Sequence, residues 1–180
     1  MLHPVALLTA EESRDADKAA ISATTSGEAL MENAGKAIVD LIMQEYKPCK
    51  LLVVCGTGNN GGDGFVTARM LKEKGWDVVL TSVGNIDDIQ GDAKAAKDKW
   101  NMTGGATRSF NRDLLTDTKL VVDAIFGTGI TRDVDGACKD AIVAINDSKI
   151  PVIAIDVPSG IHTDSGAVMG DAIRATHTVT

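Results

Sequence analysis

Three segments of the sequence combine glycine with amide or acidic side chains directly after an apolar run. They are GTGNNGGDG, which follows Cys55, DAIFGTGITRD, which begins at Asp123, and DVPSGIHTDSG, which begins at Asp156. Amide and carboxylate oxygens can coordinate a hard cation or hydrogen-bond a ligand, and a carboxylate can also transfer a proton. We therefore expect the chemistry of the chain to lie where these three loops meet.

Gly56, Gly58 and Gly61 have the G-x-G-x-x-G spacing of a dinucleotide-binding loop, a weak signal that a plain glycine turn also satisfies. That fingerprint requires an acidic residue about 20 positions later, at the end of the second strand, and DVVLTSVGN ends without one. Asp63, which we place in the first turn of the next helix, would repel a pyrophosphate there. No Gly-Lys-Ser/Thr follows, so a P-loop is excluded. A nicotinamide-dependent oxidoreductase is kept as an alternative that these features disfavour.

The three loops need strands to position them. KLLVVC, DVVLTSV, KLVVDAIF and PVIAIDV are mostly continuous apolar and β-branched runs. Such runs are typical of strands that are covered on both faces. Because ligands in open parallel sheets bind beyond the carboxyl ends of the strands, these runs would bring the three loops to one edge.

Helical patterns alternate with these runs. Thr9 and Glu12 form a capping box that opens a helix, and a second helix follows through SGEALMENAGKAIVDLIMQEY, in which Gly35 is interpreted as a close-packing position. Further helices are predicted from about Gly62 to Lys74, across DDIQGDAKAAKDKW and near GACKDAIVAI. The alternation predicts an α/β fold, a Rossmann-like three-layer αβα sandwich with a mainly parallel central sheet.

Composition limits the class of protein. The 180 residues, 44% of them hydrophobic, suit one core, so we predict one domain over residues 1–180. The excess of 25 acidic over 18 basic residues gives a net charge of -7, which disfavours nucleic acid and anionic membrane surfaces as partners. No apolar run approaches the ~20 residues of a membrane helix.

The expected compartment is the cytoplasm. MLHPVALLTAEE lacks the basic segment and the cleavage site of a secretory signal. Cys49, Cys55 and Cys138 have spacings that fit neither a zinc site nor a disulfide framework, and Cys55 is predicted to be buried apolar filler.

GTGNNGGDGFVTAR, VVDAIFGTG and DVPSG, in this order and at these separations, resemble the NAD(P)H-hydrate epimerase family, the YjeF N-terminal domain. The likeness runs from the TAEE helix through LMENAG to GDAIRATHTVT. It implies an isomerase of nicotinamide nucleotide repair that interconverts the R and S forms of hydrated NADH and NADPH (NADHX and NADPHX) and binds a potassium ion. It also implies a domain that continues past the last residue shown, and as partners it leaves open a homodimer and a fused or separate NAD(P)H-hydrate dehydratase.

The same resemblance assigns site residues. It places the cation ligands at Asn60, Asp123 and Ser159. It places the substrate contacts at Asp156 and in two segments, which are Asn59, Asn60, Gly61, Gly62 and Asp63, and Gly127, Thr128, Gly129, Ile130, Thr131, Arg132 and Asp133. On this basis we expect Asn60 to be an exposed loop amide, and a side chain at Gly61 or Gly62 to intrude on the substrate.

The chemistry of a hydrated nicotinamide agrees with these residues. Loss of its hydroxyl leaves an iminium cation that water can re-enter from either face, and a ring-opening route is the alternative. Asp156 is the side chain we expect to act as general acid and base, because burial at the end of PVIAIDV raises the pKa of a carboxylate. Asp123 is better suited to hold the cation with Asn60 and a main-chain oxygen of Ser159. An aspartate at a strand end can also merely cap a helix.

A second class of function is a non-catalytic binding or scaffolding module of the same fold. Matching residues at Asn60, Asp63, Asp123 and Asp156 favour the enzyme. Ser159 has no histidine placed by a motif to activate it, so a hydrolase is disfavoured, and His162 is interpreted as a solvated loop residue.

Overall fold

A computed structural model describes residues 8–23 and 25–180 of the chain. The helices are α1 (Ala10–Ala23), α2 (Gly27–Glu45), α3 (Asn59–Glu73), α4 (Gly91–Met102) and α5 (Gly136–Ser148). The strands are β1 (Lys50–Cys55), β2 (Asp77–Ser82), β3 (Thr107–Ser109), β4 (Leu120–Ala124), β5 (Val152–Ile155) and β6 (His177–Val179).

The six strands form one sheet in the order β3-β2-β1-β4-β5-β6, and every pair is parallel. This is the strand order of the doubly wound Rossmann fold, so the predicted α/β sandwich is confirmed. The order reverses between β1 and β4, which lie side by side with Val54 opposite Asp123. The loops after these two strands therefore diverge and leave a crevice at the carboxyl edge of the sheet.

The central strand β1 is buried on both faces. Leu51, Val53 and Cys55 pack into a core with α2, α3 and α4, whereas Leu52 and Val54 pack into a second core with α5. Successive side chains of a strand point to opposite faces, so the continuous apolar run fills two layers at once. The burial of Cys55 raises the pKa of its thiol, in agreement with its predicted role as apolar filler.

Local signals set several helix positions. At the start of α1 the Glu12 carboxylate accepts from the Thr9 backbone N–H at 2.8 Å, and Thr9 Oγ1 accepts from the Glu12 N–H at 3.2 Å, as the capping box predicts. A Cβ at Gly35 of α2 would contact Val66 of α3, so the close-packing interpretation is confirmed. Trp76 and Trp100 are 5% and 2% exposed and help to cover the sheet.

The structure differs from prediction at the start of α3. The helix begins at Asn59 instead of Gly62, with Gly58 as N-cap, although asparagine and glycine have low helix propensity. Close packing explains this, because Cβ atoms at Gly61 and Gly64 would meet the Gly56 carbonyl and the side chains of Ala124 and Cys55. Asp63 therefore lies in the second turn, and the first turn contains no acidic residue that would repel a pyrophosphate.

Within the described residues, no helix has the length and apolar character needed to cross a membrane. Residues 1–7, which contribute to the expected lack of a secretory signal, lie outside the described residues.

Candidate active site

A cavity of about 840 Å³ opens at the carboxyl edge of the sheet. It lies at the reversal of strand order and is lined by residues that follow β1, β4 and β5, with further walls from α1 and α2. Ligand sites commonly have volumes of roughly 300–1,000 Å³. The three loops singled out in the sequence therefore converge on a space large enough for a substantial part of a nucleotide.

Asp156 follows the last residue of β5 and lines this cavity. Its backbone has a φ of 67°, in the left-handed region that non-glycine residues rarely adopt. Its Oδ2 accepts a hydrogen bond from the Thr128 backbone N–H at 2.8 Å, while its own N–H donates to the Val179 carbonyl at 2.7 Å. Burial raises the pKa of the carboxyl, and the Thr128 bond partly opposes this. The turn thus holds a carboxyl group with a raised pKa against the cavity.

Gly127 shows how closely the site is packed. A Cβ at this position would collide with the Asp156 carboxylate and lie 3.4 Å from Cβ of Asn60. Only glycine leaves room for the loop after β4 to pass between these two side chains. Asp156 and Asn60, from different elements, therefore lie close together.

Asn60 is buried in the first turn of α3 and is only 8% exposed. Neither its Oδ1 nor its Nδ2 finds a hydrogen-bond partner in the described part of the chain. An unpaired buried amide is costly, so this side chain has hydrogen-bonding capacity left for a ligand, an ion or water. The expectation of an exposed loop amide was wrong, since the helix starts earlier and draws Asn60 inward.

Asp123 and Ser159 are both fully buried and do not line the cavity. Asp123 Oδ1 accepts from the Ser159 hydroxyl at 2.6 Å and from the Ile125 N–H at 3.3 Å, and its Oδ2 accepts from the Ser159 N–H at 2.8 Å. The Ser159 hydroxyl oxygen also accepts from the N–H of Phe126, a residue of the cavity wall. Burial raises the Asp123 pKa to about 6, although these bonds oppose the shift.

Asp63 is a second carboxylate at the cavity. Burial and then the neighbouring charges of Asp156 and Asp17 raise its pKa to about 7. Crowded, partly dehydrated carboxylates exchange protons near neutral pH, a property that is concentrated at functional sites.

Most of the predicted substrate-binding residues line the cavity together. These are Asn59, Asn60, Asp63, Asp156 and the whole segment 127–133. Gly61 and Gly62 do not, because a Cβ at Gly61 would meet the Gly56 carbonyl oxygen and one at Gly62 would meet Met31 of α2. Side chains added there would point into the core, so the predicted intrusion on the substrate was wrong.

Sequence reasoning missed the contribution of α1. Ser13, Arg14 and Asp17 of this helix line the cavity. The capping box predicts the helix but nothing local predicts its place. The Ala10 N–H at its start donates to Asp164 Oδ1 at 2.8 Å, far along the chain. His162, interpreted as solvated, is partly exposed, and its Nδ1 lies 3.0 Å from Oγ of Ser165.

The fold and the cavity define a Rossmann-like α/β protein whose ligand site lies at the reversal of strand order. The family model for the YjeF-related protein N-terminus matches residues 27–180, so this chain belongs to that family.

Curated relatives agree with the family match. An NAD(P)H-hydrate epimerase of Limosilactobacillus fermentum is 42% identical over 84% of this chain and 73% of its own length. A bifunctional NAD(P)H-hydrate repair enzyme of Thermanaerovibrio acidaminovorans is 37% identical over 98% of this chain, which spans 36% of that longer protein. The crystal structure of the yeast protein YNL200c has the same fold, with a TM-score of 0.85 at 24% identity over 97% of this chain and 79% of the yeast chain.

Proposed function

We propose that this chain is an NAD(P)H-hydrate epimerase, an isomerase that interconverts the R and S forms of NADHX and NADPHX. The observation that carries the proposal is the cavity in which the Asp156 carboxyl, with its raised pKa, lies close to the buried amide of Asn60. Membership of the family and the names of the curated relatives supply the substrate.

Asp156 is the acid and base of the reaction. In its protonated form it donates the proton to the departing hydroxyl, so that water leaves and the ring becomes an iminium cation. The planar ring then turns its other face toward Asp156, water adds to that face, and the water's extra proton returns to the Asp156 carboxylate. Burial raises the pKa of the Asp156 carboxyl above its ordinary value, which favours the protonated form that this step needs.

The negative field of the cavity stabilises the cationic ring. The Asp156 carboxylate left after proton transfer and the neighbouring Asp63 both belong to the cavity wall. Charge that develops in a partly water-excluded site interacts with such groups more strongly than it would in water. A ring-opening route would use the same groups.

Potassium belongs to the proposal as a bound cation. The Asn60 amide oxygen has no partner among the described residues, and Asp123 is a buried carboxylate without an ion pair among them. A weakly hydrated cation prefers oxygen donors of these kinds. The Asn60 oxygen is unpaired among the described residues, whereas both Asp123 oxygens and the Ser159 carbonyl accept hydrogen bonds that a bound cation would have to share. Asn60, Asp123 and Ser159 would hold it, and it would supply a fixed positive charge that balances the Asp123 carboxylate.

The setting of the reaction is also part of the proposal. The three free cysteines, Cys49, Cys55 and Cys138, support a cytoplasmic location. Relatives named bifunctional repair enzymes show that the domain occurs in longer proteins with a second activity. We propose a dehydratase, fused or separate, as the partner activity.

The test is the equilibration of purified R-NADHX, followed by chromatography in potassium and again in tetramethylammonium. The expected result is epimerisation well above the spontaneous rate, faster in potassium, and lost in Asp156→Asn. A rate equal to that of buffer alone, with substrate bound, would identify a binding module instead. Hydride transfer with intact cofactor would identify an oxidoreductase.

A further inference from the structure

The charges that line the cavity are unevenly divided between the two signs. Among the described residues, the cationic side chains in the lining are Arg14 of α1 and Arg132 of the loop after β4. The acidic side chains in the lining are Asp17, Asp63, Asp133, Asp135 and Asp156. An anionic ligand group therefore meets repulsion over most of this wall.

Two of the acidic side chains differ in exposure from the other charged groups of the lining, because Asp17, Asp133 and Asp135 are exposed like the two arginines. Asp63 and Asp156 are partly buried, and burial raises the pKa of both. Arg14 and Arg132 are exposed to solvent. A ligand with a cationic ring and an anionic tail would therefore place the ring beside the buried carboxylates and the tail near the exposed guanidinium groups.

Arg14 is available for such a tail. It makes no salt bridge within the described residues, whereas Lys18, one turn further along α1, pairs with Asp15 at 3.0 Å. A guanidinium group presents several N–H donors in a planar fork that matches phosphate oxygens, and it stays charged at all relevant pH values.

The first turn of α1 is held in place. The Ala10 N–H donates to Asp164 Oδ1 of the loop after β5, and the Thr9–Glu12 capping box closes the same turn. Arg14 follows directly after these contacts, so its position at the cavity is fixed through the backbone and does not depend on the side chain alone.

We propose that Arg14 binds the pyrophosphate of the dinucleotide substrate, which makes α1 part of the substrate site. The identity of the substrate rests on the proposed function. The phosphates lie toward Arg14 and Arg132, and the hydrated ring lies at Asp156.

The probe is ADP-ribose, which keeps the pyrophosphate and lacks the nicotinamide ring. Its binding to the whole chain is measured by calorimetry for wild type, Arg14→Ala, Arg14→Lys and the matched control Lys18→Ala. Arg14→Ala should weaken binding by about tenfold or more, since a charged hydrogen-bonding partner is lost. Arg14→Lys keeps the charge without the planar fork, so its affinity should lie between those of Arg14→Ala and wild type. The affinity of Lys18→Ala should stay within about twofold of wild type.

Kinetics give a second readout. With NADHX, Arg14→Ala should raise KM by a similar factor and leave kcat near its wild-type value, because the contacts of the ring are unchanged. The affinity of Arg14→Ala for ADP-ribose should also depend less steeply on salt concentration than that of wild type.

The outcomes separate the two proposals. If Arg14→Ala weakens ADP-ribose binding and wild type does not epimerise NADHX, the phosphate site stands and the proposed function fails. The inference about Arg14 is overturned if wild type epimerises NADHX and Arg14→Ala keeps its KM, and the phosphates then lie elsewhere, as at the first turn of α3. Equal weakening by Lys18→Ala, or no binding of ADP-ribose to wild type, also overturns it.

Discussion

Asp123 and Asp156 come from neighbouring parallel strands, but the surroundings of their carboxylates differ. Asp123 lies within β4, opposite Ala154 of β5, and all its described hydrogen bonds connect it to Ser159 and Ile125 inside the protein. Asp156 lies just beyond the end of β5, with a positive φ, and lines the cavity. A carboxylate that is still inside the sheet is bonded by the next loop, whereas one past the last strand residue is presented to a ligand.

The two aspartates therefore have different roles. Asp123 stabilises the arrangement of the loops after β4 and β5 and is proposed to balance a bound cation. Asp156 is proposed to move the proton.

The largest expected effect is on catalysis by Asp156→Asn. Asparagine tolerates the left-handed backbone and keeps the acceptor for the Thr128 N–H, so the fold should be unchanged. Loss of the proton transfer should lower kcat by roughly 10²- to 10⁴-fold. The measurement is NADHX epimerisation with the spontaneous rate subtracted, and Asp140→Asn, an exposed position of α5, is the control. Near-wild-type activity here, with Asp123→Asn inactive at saturating potassium, would reverse the two roles.

The next effect is on stability, in Asp123→Asn. An asparagine would turn an NH₂ group toward a donor of Ser159 or Ile125, so a buried hydrogen bond becomes a clash of two donors. We expect a loss of about 3 kcal/mol in the free energy of unfolding, measured by urea denaturation. Wild type should also be stabilised by potassium over tetramethylammonium, and the variant should lose that response. A potassium response that survives in Asp123→Asn would remove this residue from the cation site.

Much of this arrangement could be predicted from the sequence. Continuous apolar runs identify β1, β4 and β5, and the parallel sheet then places the three glycine-rich and acidic loops at one edge. Strand β3 could not be predicted in this way, because Thr107–Ser109 is a short edge strand without an apolar pattern. Its pairing with β2 depends on the tertiary structure.

The parts of the site that were missed or misjudged depend on contacts between distant segments. The burial of Asn60 follows from the close approach of α3 to the loop after β1, and glycine and asparagine propensities argue against a helix there. Arg14 lines the cavity from α1, whose start is bonded to Asp164 far along the chain. Neither contact has a local signal in the sequence.

A smaller effect tests the close packing at the start of α3. Alanine at Gly61 would gain helix propensity, but its Cβ would collide with the Gly56 carbonyl, which belongs to the backbone and cannot turn away. We expect Gly61→Ala to lower the free energy of unfolding by about 1–3 kcal/mol in urea denaturation. Gly129→Ala is the control, because no atom lies within 4 Å of its added Cβ. If Gly61→Ala is as stable as this control and instead blocks substrate, the glycine faces the ligand after all.

The last prediction concerns Asp63 and tests whether the carboxylates at the cavity are more crowded than those inside the sheet. Its pKa is raised to about 7 in the folded chain, mainly by burial, from an ordinary value of 3.8. The folded state therefore binds this proton more tightly than the unfolded state. The contribution of this proton to the free energy of unfolding is complete below about pH 4 and is lost as the pH rises through about 7. Asp63→Asn does not titrate, so its stability should exceed that of wild type at pH 8 and match it near pH 4.

The measurement is the melting temperature of both proteins between pH 4 and pH 8, with Asp140→Asn as the control. In Asp63→Asn the melting temperature should still fall as the pH rises to about 6, because the pKa of Asp123 is raised to about 6. Parallel curves for the two proteins would mean that Asp63 is hydrated and lies outside the crowded group. If Asp63→Asn also shifts the pH profile of kcat/KM, then Asp63 and Asp156 titrate as a pair, and the proton in the reaction belongs to both carboxylates.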